Sequence, residues 1–261
     1  MRRDAFLLLP ALALFQGCIT VEITQSTERD SRPQTIQLSE SVAVTSLGAV
    51  DINGSAFFPS GFRIDSPDRI IYIDPIMIDD PKPADFVFVT HAHPDHLSLP
   101  DIQKVATSNT VIVGPASVVK ELSDYVVREV VPGDSFTVDG LHCEAVAAYN
   151  TQRVFLWIAA HPKSARNVGY VLTIGDLRIY HAGDTDFIPE MQSLSNITVA
   201  MVPIGGDNLT MDPVQAAATI NAIRPEVAIP MHHGIGQSDG LDSFRRLVDS
   251  GIDVRTFPAQ E

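Results

Sequence analysis

Three histidines and an aspartate fall within six residues, at His91, His93, Asp95 and His96, in the stretch "FVFVTHAHPDHLSL" (86–99). Imidazole and carboxylate are ligands for divalent transition metals, zinc above all, and that density of polar groups is hard to satisfy in a packed core. The apolar run in front of them reads as a strand that delivers them at its end. Two later strands end in the same kind of residue: "RIYHAGDTD" carries His181, Asp184 and Asp186, and "VAIPMHHG" carries His232 and His233. Sites in layered sheets are commonly assembled from loops at strand ends, so three such ends can converge on one cleft.

The elements that must position these residues are short and β-branched. Strands are expected at 41–47, 69–74, 85–90, 110–114, 142–148, 168–174, 177–183, 197–204 and 226–232, with helices at 99–106, 115–125, 212–223 and 241–250. Asp212 before Pro213 is a good helix cap and first turn. Strands dominate early and then interleave with helices, which fits sheet layers covered by helices in one domain over residues 41–261.

The chain begins "MRRDAFLLLPALALFQGC", with two arginines, an apolar run from Ala5 to Phe15 and a cysteine at 18. That is the pattern of an export signal, too short to span a bilayer as a helix. Its end resembles the lipobox of bacterial lipoproteins, so residues 1–17 are expected to be removed and Cys18 to carry lipid. The anchor would hold the protein at the bacterial cell envelope. Residues 18–40 are polar, with little periodicity, and read as a flexible tether. The net charge is −14, and an acidic surface disfavours nucleic-acid binding. With Cys18 modified, Cys143 has no partner for a disulfide and reads as a buried, inert thiol.

HxHxDH after an apolar strand, then the aspartate of "GDT", then a late histidine resembles the metallo-β-lactamase superfamily. The longer stretches "VGYVLTIGDLRIYHAGDTDFIPEM", "MVPIGG…TMDPVQAA" and "IPMHHG" resemble its subgroup of L-ascorbate-6-phosphate-lactonase-like hydrolases, which shades into N-acyl-phosphatidylethanolamine phospholipase D. The resemblance implies an α/β (α+β) fold, a four-layer αββα sandwich, holding two divalent metal ions, zinc first with manganese or iron as alternatives. It implies that His91 and His93 hold the first metal, that Asp95, His96 and His232 hold the second, and that Asp184 bridges them. Asp95 and Asp184 are then the catalytic carboxylates. Two metals sharing a carboxylate can lower the pKa of bound water from ~15.7 to about 7 and supply hydroxide for an ester-like bond in a small molecule or lipid.

The first metal needs one more ligand. Where many relatives have a histidine, this chain has Tyr149 and Asn150, with His161 eleven residues later, so either Asn150 or His161 completes the site. A second departure is Gly54-Ser55-Ala56, where relatives often read "GHA". Asp74 is expected to hydrogen-bond the far nitrogen of a ligand histidine, and Asp186 with Thr185 to support the loop bearing Asp184. Gly205 and Gly206 are expected at the substrate cleft. His181 reads as a hydrogen-bonded core residue and His233 as cleft wall or surface. Phe155 and Trp157 read as core, or as an apolar wall. An iron-loaded redox protein of the same fold and a non-catalytic metal-binding lipoprotein are the competing readings.

Overall fold

Alternation along the strands sorts the side chains into layers. In the strands Ile70–Ile73 and Phe86–Phe88, Ile71, Ile73, Phe86 and Phe88 point into one apolar cluster, while Tyr72 and Val87 point into another. The computed structural model describes residues 23–26, 32–52, 55–58, 60–153, 158–235 and 238–257. The leader, Cys18, Gly54, Phe155 and Trp157 lie outside the described residues.

Among the described residues are two seven-stranded sheets. One runs, in spatial order, Val127–Glu129, Val111–Gly114, Phe86–Phe88, Ile70–Ile73, Phe62–Asp65, Ala43–Ser46 and Thr35–Gln37. The other runs Ser135–Val138, Leu141–Ala147, Val168–Ile174, Leu177–His181, Val199–Pro203, Val227–Met231 and Asp253–Val254. They face each other across a core that includes Phe86, Phe88, Cys143, Tyr170 and Leu172. Helices α1 (Leu99–Val105) and α2 (Ala116–Glu121) cover the outer face of the first sheet through Ile102, Val105, Val118 and Leu122. Helices α3 (Pro213–Ile223) and α4 (Ser238–Leu247) pack on each other, and Ile220, Ile223 and Phe244 join the core of the second. The result is the expected four-layer αββα sandwich.

The helix at 241–250 lies three residues earlier than its apolar pattern suggests, and strands at 50–52, 55–58, 62–65, 127–129 and 135–138 are additional to those expected. Segment 18–40 reads as a tether, yet two parts of it are strands. Ile23–Gln25 pairs antiparallel with Val50–Ile52, and Thr35–Gln37 with Ala43–Ser46. Ile36 is buried, and the Thr35 and Thr45 hydroxyls meet at 2.9 Å. A three-residue strand with one apolar side chain has no visible periodicity; its stability comes from the ladder it joins.

A third, four-stranded sheet runs Ile23–Gln25, Val50–Ile52, Ser55–Phe58 and His233–Gly234. The two large sheets are tied beside the histidine loop, where the buried Tyr170 hydroxyl donates to the Val89 carbonyl at 2.8 Å. Cys143 is buried, and burial together with the Glu144 charge pushes its thiol up to about 12, so it is unreactive as expected.

Candidate metal centre

The strand Phe86–Phe88 runs out through Val89 and Thr90 into a tight turn in which the His96 and Leu97 amides both donate to the His93 carbonyl. That turn brings His93, Asp95 and His96 together, and Ser98 then caps α1 by accepting from the Asp101 amide. Asp184 arrives from the strand Leu177–His181 through Gly183, whose φ of 65° is left-handed and whose missing Cβ leaves room for Thr90 and the Val168 carbonyl. His232 ends the strand Val227–Met231 with a φ of 49°, a conformation uncommon outside glycine. The kink redirects the chain from the second large sheet into the four-stranded one, where His233 pairs with Phe58.

Two groups result. Ligand atoms of His91, His93 and His161 lie within 4.8 Å of one another, and so do those of Asp95, His96, Asp184 and His232. The Asp184 carboxylate sits between them. Its Oδ2 is 4.0 Å from His91 Nε2, 3.5 Å from His161 Nε2 and 3.4 Å from His232 Nε2, and its Oδ1 is 3.3 Å from His96 Nε2. Of the two residues left open for the first group, His161 turns Nε2 to within 3.1 Å of His93 Nδ1. Asn150 grips the far side of the same ring, its Oδ1 accepting from His161 Nδ1 at 2.9 Å.

The far nitrogens of the other rings are fixed as well. Asp74, fully buried, accepts from the Thr90 amide, the Thr90 hydroxyl and His96 Nδ1 at 2.7, 2.8 and 2.8 Å. The Thr90 hydroxyl, having donated to Asp74, is left to accept from His91 Nδ1 at 3.0 Å. His91 Nε2, His96 Nε2 and Asp184 Oδ1 are buried without a hydrogen bond. Orphaned nitrogen and oxygen lone pairs on three neighbouring side chains are what a cation would satisfy.

The electrostatics agree with that fit. Burial drives His91, His93 and His161 below the ordinary histidine value, His161 to about 4, so these rings present neutral lone pairs. Burial acts against charge on His96 and His232 too, but Asp184 and Asp95 outweigh it and raise both. Burial likewise opposes ionisation of Asp95 and Asp184; the charges of His96 and His232 hold both well below the usual carboxylate range. A cluster this acidic draws in protons or a cation in their place. His93, Asp95 and His232 form its partly open side, and His91, His96, His161 and Asp184 its buried floor.

Gly205 and Gly206 are explained by the backbone. A Cβ on Gly205 would lie 2.5 Å from the His232 carbonyl oxygen, so glycine lets the left-handed His232 backbone pass. Gly205→Ala is therefore expected to displace His232 and weaken one metal ion by roughly 10-fold or more, measured by competition with a chelator. Gly206 begins a run of three left-handed residues with Asp207 and Asn208.

His181 is the hydrogen-bonded core residue expected: Nε2 donates to the Ser60 carbonyl at 2.7 Å and Nδ1 accepts from the Gly183 amide. His233, read as cleft wall or surface, is instead buried against Phe58, because its strand closes the four-stranded sheet. Thr185 and Asp186 clamp residues 149–152: the Thr185 hydroxyl bonds the Tyr149 backbone, and Asp186 accepts from Asn150, Thr151 and Gln152. The Thr90 relay to His91 and the grip of Leu209 on His161 carry no spacing signal in the sequence, since each pairs a generic polar or backbone group with a distant ring.

A sequence profile described as the β-lactamase superfamily domain matches residues 57–232. A protein of Aeropyrum pernix named a UPF0173 metal-dependent hydrolase is 33% identical over 197 residues, spanning 67% of this chain and 79% of its own length. One of the same name from Polynucleobacter asymbioticus is 32% identical over 240 residues, spanning 78% and 82%. A crystal structure from Parabacteroides distasonis, provisionally described as a metal-dependent hydrolase, matches with a TM-score of 0.71 at 30% identity, over 88% of this chain and 99% of that one.

Proposed function

The chain belongs to the metallo-β-lactamase superfamily and is a metal-dependent hydrolase, and from that premise we propose that it works with two divalent ions, zinc first, on an ester-like bond. The observation that carries the dinuclear reading is the Asp184 carboxylate, within 4.0 Å of four histidine nitrogens drawn from both groups. His91, His93 and His161 would hold one ion; Asp95, His96 and His232 would hold the other, with Asp184 shared.

Bound there, the ions supply an activated water at neutral pH and a Lewis acid for the developing oxyanion. The protein's own groups do the rest. Asp95 combines partial exposure with contact to His232, its Oδ2 lying 3.4 Å from His232 Nε2. It orients the attacking water and takes up its proton for delivery to the leaving group. The buried floor keeps bulk water off the ligand rings, and the open side at His93, Asp95 and His232 admits substrate. A lactone, a phosphodiester or a lipid ester suits this site.

The acidic chain with its export-type leader is read as a lipoprotein of the bacterial envelope, held by lipid on Cys18. That setting favours a lipid or envelope ester over a cytosolic sugar phosphate. Cys18→Ser is expected to move the protein from the membrane to the soluble fraction; continued attachment overturns the anchor.

The test of the activity is metal analysis of the purified protein followed by a hydrolysis screen. About two transition-metal ions per chain are expected, with turnover in one class among lactones, phosphodiesters, phospholipids and β-lactams. Absence of bound metal after reconstitution with zinc, manganese or iron sinks the proposal.

A further inference from the structure

We propose that Asp186 is a positioning residue for the first metal site, acting on His161 through the Asn150 amide. Asp186 is fully buried and belongs to neither ligand group. Its Oδ1 accepts from Asn150 Nδ2 at 3.1 Å, and its Oδ2 accepts from the Thr151 amide, the Thr151 hydroxyl and the Gln152 amide at 2.7, 2.8 and 2.9 Å. A carboxylate only accepts, so it dictates which end of the Asn150 amide faces it: the NH₂.

The oxygen of Asn150 must then face the other way. It accepts from both the His161 amide and His161 Nδ1, each at 2.9 Å. The Leu209 carbonyl completes the arrangement, accepting from Asn150 Nδ2 at 2.9 Å and from His161 Nδ1 at 3.1 Å. Every atom facing His161 Nδ1 is thus an acceptor. The ring proton is held at Nδ1, and the Nε2 lone pair is aimed at His93 and Asp184. Charge placed two residues beyond the "GDT" aspartate sets the tautomer of a ligand on another loop, one amide removed.

This explains why residue 150 is an asparagine. A carboxylate there would lie about 3 Å from Asp186 and from the Leu209 carbonyl, three acceptors with no proton between them. An amide donates one way and accepts the other.

The inference makes a signed forecast for a double-mutant cycle, and it rests on metal binding at His161 rather than on any substrate. In Asp186→Asn, the new NH₂ faces the Asn150 NH₂; the Asn150 amide turns over and offers His161 Nδ1 a donor. In Asn150→Asp, two carboxylates collide. Each single variant is expected to lose about 10–100-fold in affinity for one of the two ions. The double variant Asn150→Asp/Asp186→Asn restores a donor between residues 186 and 150 and keeps an acceptor towards His161 Nδ1, leaving the Leu209 carbonyl facing an acceptor, and is expected to recover part of that loss.

The readouts are zinc competition titration and the nitrogen chemical shifts of His161 in the metal-free protein, with thermal unfolding of each apoprotein as the control for folding. The wild type is expected to carry its proton on Nδ1 and Asp186→Asn to shift it towards Nε2. Additive losses in the double variant, or an unchanged His161 tautomer in Asp186→Asn, overturn the proposal. If the wild type shows the Nδ1 tautomer but binds fewer than two ions, the dinuclear reading fails and the positioning role stands.

Discussion

Asp184→Ala is expected to abolish hydrolysis of whichever ester-like substrate the screen identifies and to lower bound metal from about two ions per chain to one or none. The carboxylate is 4% exposed and contacts nitrogens of His91, His96, His161 and His232. It is the carboxylate that faces both groups of side chains. Alanine removes one negative charge from the proposed two-ion centre and the one carboxylate, among the described residues, that lies within 4.0 Å of histidines from both groups. Losing an outer hydrogen-bond partner of a metal ligand typically costs about 10–100-fold in affinity, so losing a shared ligand should exceed that range. Asp184→Asn, similar in shape but neutral, is expected to fold and still fail to hold both ions. Metal content by mass spectrometry and the initial rate decide the matter, and an unaffected rate refutes the bridging role.

Asp74→Ala should be the most damaging change to stability. It strands three buried donors, the Thr90 amide, the Thr90 hydroxyl and His96 Nδ1. Each costs about 1–3 kcal/mol when left unpaired, and a domain is stable by only about 5–15 kcal/mol. Asp74 also sits at a φ of 47°, which aspartate and asparagine tolerate better than alanine. The expected outcome is a protein that is largely unfolded at room temperature or melts far below the wild type. Asp74→Asn keeps an acceptor and the backbone preference, so it should remain folded while losing about 10–100-fold in affinity for the ion near His96. Urea unfolding and metal titration of the pair separate the two effects; equal stability of Asp74→Ala and wild type contradicts the account.

The fold and much of the site were legible because their signals are local. Strands such as 168–174 alternate or run apolar over seven residues, and His91, His93, Asp95 and His96 fall in one loop. Which residue of the 150–161 segment turns towards the cluster is not decided by spacing. What turns His161 inward is Asn150 eleven residues before it and Asp186 twenty-five residues after it, a contact made across loops. The strands at 23–25 and 35–37 escaped for another reason: they are polar, and the ladders of Val50–Ile52 and Ala43–Ser46 hold them in place. The burial of His233 follows from the left-handed kink at His232, a backbone event that the pattern of apolar residues does not announce.

For an enzyme anchored through Cys18, the four-stranded sheet would set the reach. Its outer strands are Ile23–Gln25 on one side and His233–Gly234, directly after His232, on the other. Three strand spacings of about 4.8 Å and a three-residue offset along the strands separate Ile23 from His233 by roughly 17 Å. Whatever path residues 19–22 take, the five steps from Cys18 to Ile23 span at most another 18 Å or so. A lipid on Cys18 would therefore tether the catalytic centre on a leash of about 35 Å, little more than the ~30 Å hydrocarbon thickness of one bilayer. An enzyme so anchored would patrol a shell of fluid next to its own membrane, and what it met there would be set by surface density rather than by bulk concentration.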